Sequence, residues 1–134
     1  MRYVLALAIA VSLIGTAALA NPCGFEESGR VTIKGYAVGA TAVPKDQQER
    51  LVKFAETAKF RDGVCIFAQV DKQGSKEANQ KVAQARADKV RKFLLAKGVP
   101  AGAMKIAKQE DALTFFGLLS SDQPSDRRVV VTHD

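Results

Sequence analysis

The sequence predicts an α/β (α+β) two-layer sandwich, with helices packed on a sheet, and two observations carry that prediction. Stretches that alternate apolar and polar residues, or are β-branched throughout, recur between stretches whose apolar residues fall at three- and four-residue steps. Length and composition fit one such domain: 134 residues, 47% apolar, 7% aromatic and 25% charged. That balance excludes a disordered chain, and the length excludes two independently folded enzyme domains. No low-complexity tract or repeat of solenoid length is present.

Residues 1–20 read as an export signal. Arg2 supplies the positive start, Val4 to Ile14 is apolar apart from Ser12, and Ala18-Leu19-Ala20 puts small residues where a signal peptidase reads them. Cleavage is expected after Ala20. The apolar run falls short of the roughly 20 residues a spanning helix needs, so no transmembrane segment is expected in the mature chain. Cys23 follows Asn21-Pro22 rather than a small-residue motif, which argues against lipidation. Loss of Arg2 takes the formal charge from +6 to +5. Residues 21–30 are expected to form an N-terminal tail and residues 31–134 the domain.

Export bears on the cysteines. Cys23 and Cys65 are the only two, and an oxidising compartment favours pairing them. A bridge would pin the tail against the sheet; the alternative is one buried and one exposed thiol. The wide spacing lacks the Cys-x-x-Cys pattern of a redox centre, so a bridge here would be structural.

Val31 to Tyr36 alternates with period two and predicts a half-buried strand. Gly39 to Pro44 is a loop. Pro44 opens a helix with Asp46 and Glu49 in its first turn and Lys59 near its last, an order that suits the helix dipole. Leu51, Phe54, Ala55 and Ala58 form its buried stripe. After the Arg61-Asp62-Gly63 turn, Val64 to Val70 is apolar on both faces except at Gln69, as in a central strand. Ser75 caps a long helix, about Lys76 to Lys97, which Gly98, Val99 and Pro100 terminate. Val82, Ala83, Val90, Phe93 and Leu94 are its apolar members, and Lys81, Lys89, Arg91, Lys92 and Lys97 its outer face. Lys105 to Lys108 suggests a short strand. Glu110 to Ser121 fits either a short helix or a packed loop, and Ser120 to Asp126 a loop. Val129 to Thr132 is a β-branched last strand.

Arg86 breaks the pattern. It lies four residues after Val82 and four before Val90, so it falls in the middle of an apolar stripe. Asn79 is two turns earlier on the same face, and Asp71 sits in the loop leading in from the central strand. A buried arginine needs partners, and an Asp71–Arg86 ion pair tying loop to helix would supply them. The alternative is a receptor for a zwitterion, with Arg86 holding a carboxylate through two parallel hydrogen bonds, Asp71 accepting from an ammonium and Asn79 assisting. Strand C-terminal ends in α/β sheets are common ligand positions.

These residues carry a resemblance. Asp71 to Gly74, Asn79, Ala85-Arg86-Ala87, Lys97-Gly98-Val99-Pro100 and Asp126-Arg127-Arg128-Val129 resemble the OmpA-like peptidoglycan-binding domain, over most of residues 31–134. The resemblance implies a βαβαββ-type mixed sheet with helices on one face, in a Gram-negative envelope protein. It further implies noncovalent binding of the peptidoglycan stem peptide through its diaminopimelate. Asp71 matches the acid facing the ammonium, Arg86 the arginine holding the carboxylate, and Asn79 a supporting polar group. Arg127 and Arg128 match the closing pair, of which Arg128 is assigned to the site. The chain also departs from the pattern. Ala68-Gln69-Val70 stands for Gly-His-Thr, Val82-Ala83 for Leu-Ser, and Ala107 to Glu110 for Gly-x-Gly-Glu. Gly35-Tyr36-Ala37 stands where an Asp or Asn is usual.

Enzyme chemistry has little support. The single histidine, His133, adjoins the C-terminus, where a frayed chain end makes a poor general base. There is no Gly-x-Ser-x-Gly and no phosphate loop, and Glu26-Glu27 and Glu110-Asp111 are sequence neighbours suited to surface turns. Nucleic acid is not an expected partner of an exported chain whose aromatics sit mostly at core positions. No cofactor or metal is expected. The reading is a non-catalytic periplasmic domain that binds peptidoglycan, with an outer-membrane or envelope-complex protein as a further partner. The alternative is a degenerate member of the same fold that serves as an assembly part without binding peptidoglycan.

Overall fold

The computed structural model describes residues 21–69, 75–107 and 127–134. The described elements are β1 (Gly29–Ile33), a 3-10 turn (Lys45–Gln47), α1 (Gln48–Ala58), β2 (Val64–Gln69), α2 (Lys76–Ala96), a second 3-10 turn (Ala101–Ala103), β3 (Met104–Ile106) and β4 (Arg128–His133). The sheet order is β1-β4-β2-β3. β4 runs antiparallel to both neighbours, with Val131 opposite Val31 on one side and Ile66 on the other, while β2 and β3 are parallel. β1, β2 and β3 therefore all end at one edge of the sheet, the edge where β4 begins.

The two faces of the sheet are closed differently. Val31, Ile33, Val64, Ile66, Val129 and Val131 pack with Leu51, Phe54, Ala83, Ala87, Val90 and Leu94, so both helices cover this inner face. Leu51, Phe54, Ala55 and Ala58 are the buried residues of α1, the four that periodicity selects. Cys65, Phe67 and Val130 point to the other face and meet Cys23 and Phe25 of the tail. All six residues of β2 are buried, because it is central and covered on both sides.

The tail is fastened by more than its apolar contact. Cys23 and Cys65 form a disulfide with Cα atoms 5.8 Å apart. Asn21 donates through Nδ2 to Thr132 Oγ1 at 3.1 Å, and its Oδ1 accepts from the Cys23 amide at 3.0 Å.

α2 begins and ends on local signals. Ser75 Oγ accepts from the Ala78 amide at 3.1 Å. Gly98 stands at φ +93°, a conformation that suits glycine. Its amide and that of Val99 donate to Leu95 and Leu94 at 3.1 and 3.0 Å, which satisfies the last carbonyls of the helix.

Several boundaries differ from expectation. The first strand is Gly29–Ile33 rather than Val31 to Tyr36: Gly35, at φ +81°, turns the chain, and Tyr36 folds inward. Pro44 precedes a 3-10 turn, so α1 starts at Gln48. The short strand is Met104–Ile106, earlier than Lys105 to Lys108. Val82 and Phe93 are only half-buried. His133 is no frayed end: it closes β4, its ring packs 5.3 Å from that of Phe54, and Gly29 opposite leaves the space it fills. Residues 1–20, the segment Glu110 to Ser121 and the loop Ser120 to Asp126 lie outside the described residues.

Candidate ligand-binding site

The edge where β1 and β2 end and β4 begins also receives the middle of α2. Arg86, on the buried stripe of that helix, is 1% exposed. Its Nε donates to the Ala40 carbonyl at 2.7 Å and its Nη2 to the Ala37 carbonyl at 3.0 Å. Its Cζ lies 4.5 Å from the centroid of the Tyr36 ring. A guanidinium has to keep hydrogen-bond partners when it leaves water, and carbonyl dipoles with an aromatic face meet that need.

The loop after β1 is shaped to do this. Gly35, at φ +81°, precedes a turn from Ala37 to Ala40 that holds Gly39 at φ +73°, and in it the Ala40 amide donates to the Ala37 carbonyl at 3.1 Å. The turn aims the carbonyls of Ala37 and Ala40 at α2. Arg127, just before β4, donates through Nε to the Tyr36 carbonyl at 2.7 Å. Two arginines distant in sequence thus grip the segment Tyr36 to Ala40.

Of the residues the sequence assigns to the site, Arg86 is at its centre. Asn79 is half-buried in the first turns of α2, its main-chain N–H donating to the Ser75 carbonyl at 3.0 Å. Asp71 lies outside the described residues. Arg128 pairs with Gln69 across the β2–β4 ladder. By strand alternation it belongs to the face of Cys65, Phe67 and Val130, opposite the helices. Arg127, one residue earlier, is the member of the pair that reaches the loop held by Arg86. The Gln69 amide is buried at the end of β2, with no hydrogen-bond partner for either polar atom among the described residues.

Sequence reasoning gave Tyr36 no part in the site. The residue is 2% exposed, and its hydroxyl has no hydrogen-bond partner among the described residues. Burial pushes its pKa up to about 12, against a smaller downward pull from the Arg86 charge. The available signal was its position between two glycines, where the expected Asp or Asn was missing. Among the described residues there is no cluster of three or more His, Cys, Asp or Glu side chains placed to hold a metal ion, and no helix is long and apolar enough to cross a membrane.

A mixed four-stranded sheet with two helices and an arginine buried at its strand-end edge defines a small α+β class of domain. The model of the OmpA family matches residues 30–117, and the chain belongs to that family. The fold is shared with the peptidoglycan-associated lipoprotein from Burkholderia pseudomallei (TM-score 0.60, 20% identity, 77% of this chain and 89% of that one). It is shared with the periplasmic domain of MotB from Helicobacter pylori (TM-score 0.59, 14% identity, 77% and 79%). It is shared too with the cell wall anchor of the T6SS from Pseudomonas aeruginosa (TM-score 0.56, 24% identity, 78% and 79%). No curated protein matches the chain.

Proposed function

We propose that this protein is a non-catalytic periplasmic domain that binds peptidoglycan by holding the diaminopimelate of the stem peptide. The observation that carries the reading is the Arg86 guanidinium, held inside an OmpA-family domain at the edge where its strands end. A cation oriented before the ligand arrives loses little entropy on binding a carboxylate. Asp71 takes the ammonium, Asn79 supports it, and of the closing pair Arg127 holds the loop beside Arg86. Two fold neighbours are described as peptidoglycan-associated and as a cell wall anchor, which fits this ligand. Export through residues 1–20, cleaved after Ala20, fits the Cys23–Cys65 disulfide, since such bridges persist in oxidising compartments.

Purified sacculi test the reading. The mature protein is expected to co-sediment with them, and Arg86→Ala, checked for folding by circular dichroism, to stay in the supernatant. Equal retention of the two would overturn it.

One observation favours a second reading. Arg86 is 1% exposed and already holds two main-chain carbonyls, which suits a structural clamp. On that reading the domain is an assembly part of an envelope complex. It predicts no sacculus binding and a stable crosslinked envelope partner.

A further inference from the structure

Tyr36 touches both arginines of the site. Its ring lies under the Arg86 guanidinium, 4.5 Å from centroid to Cζ, and its carbonyl accepts from Arg127 Nε at 2.7 Å. The hydroxyl on that ring is buried, with no hydrogen-bond partner among the described residues. A buried donor left unmade is costly, and folded proteins keep few of them. Phenylalanine would fill the same space without that cost. The spare donor sits on a ring that the fixed cation itself contacts.

We propose that the Tyr36 hydroxyl is a specificity-determining donor, giving its hydrogen bond to the ligand carboxylate that Arg86 attracts. This rests on the peptidoglycan reading above and adds a residue to it. Charge alone holds any anion; a cation paired with a fixed neutral donor favours a carboxylate that can meet both at once. The phenol keeps its proton up to about pH 12, so the donor is present throughout the physiological range. Arg86 and Tyr36 are 1% and 2% exposed, so ligand entry needs a local opening, and association should be slower than for an open site.

Tyr36→Phe keeps the ring and removes only the oxygen. Calorimetric titration of the mature, disulfide-bonded wild type and variant compares meso-diaminopimelate with 1,5-diaminopentane, the same diamine without its carboxylates. The variant is expected to melt no lower than wild type and to bind diaminopimelate about tenfold more weakly or worse, with no change toward the diamine. Equal diaminopimelate affinity in the two proteins would overturn the proposal and leave the peptidoglycan reading standing, the hydroxyl then meeting at most a buried water. An equal loss toward both probes would also overturn it, as a general effect on the site. Failure of the wild type to bind diaminopimelate would overturn both. Tyr36 is the one tyrosine of residues 21–134, which contain no tryptophan. The intrinsic emission of the mature wild type therefore reports on this ring, and it should change on binding diaminopimelate.

Discussion

The Arg86 guanidinium lies on the face of the Tyr36 ring, Cζ to centroid 4.5 Å, and both side chains are buried. The contact joins the middle of α2 to the loop after β1 and couples the helix to the sheet edge. A cation in that position would be expensive without partners. The ring face and the carbonyls of Ala37 and Ala40 supply them, so the loop and the arginine hold each other in place.

Arg86 should therefore matter for stability as well as for any ligand. Arg86→Ala removes a large buried side chain, takes the arginine donor from the Ala40 carbonyl and leaves the Ala37 carbonyl only the Ala40 amide. A loss of about 3–5 kcal/mol is expected in denaturant unfolding at neutral pH. Arg86→Lys should recover less than half of it, because a compact ammonium cannot reproduce the planar fork that reaches both acceptors. A loss below about 1 kcal/mol for the alanine variant would show that the clamp is dispensable.

Tyr36 makes the fold sensitive to alkali. Its pKa rises from 10.0 to about 12 on folding, burial being the main cause. Below pH 10 both folded and unfolded chains carry the proton, and the group contributes no slope. Between about 10 and 12 the unfolded chain gives up its proton while the native one keeps it, so stability falls as pH rises, by roughly 2–3 kcal/mol in all. Melting temperatures across that window should fall more steeply for wild type than for Tyr36→Phe. In a protein of residues 21–134, where Tyr36 is the one tyrosine, phenolate absorbance of the folded state should titrate near 12.

The Cys23–Cys65 bridge closes a loop with a sequence separation of 42. The chain-entropy model assigns such a bridge about 3–4 kcal/mol. Reductant, or Cys65→Ser, should lower the melting point and release the tail from Phe67 and Val130, seen as increased binding of an apolar dye. A melting curve unchanged by reductant would mean that the tail is held by its other contacts alone.

Gly29 and His133 form a size-matched pair across β1 and β4. A methyl group at position 29 would run into the buried His133 imidazole, which is backed by Phe54. Gly29→Ala is expected to cost about 1–3 kcal/mol. His133→Ala in the same chain should restore part of that loss, making the two changes non-additive.

Much of the fold was legible because its signals are local. The stripe Leu51, Phe54, Ala55 and Ala58, the Ser75 cap and the Gly98-Val99-Pro100 stop each depend on residues within a few positions of one another. The two-sided apolar run Val64 to Val70, broken only at Gln69, showed a strand that must be covered on both faces. The arginine on the α2 stripe was visible for the same reason, since helical spacing alone places it inward. What periodicity could not show was where strands change direction: Gly35 ended β1 earlier than the alternation suggested, and Gly29 and Arg30 joined it from the expected tail.

The sequence by itself determined that a cation on α2 would be buried, that the chain alternates strand and helix, and that two cysteines were available to pair. Only the tertiary structure decided what surrounds the cation. The carbonyls of Ala37 and Ala40 carry no side-chain signature, and Tyr36 reaches Arg86 across about fifty residues of chain because the loop after β1 folds against the middle of α2. The same holds for the closing arginines. Which of Arg127 and Arg128 faces the helices is a matter of strand register, and a shift of one residue would exchange them.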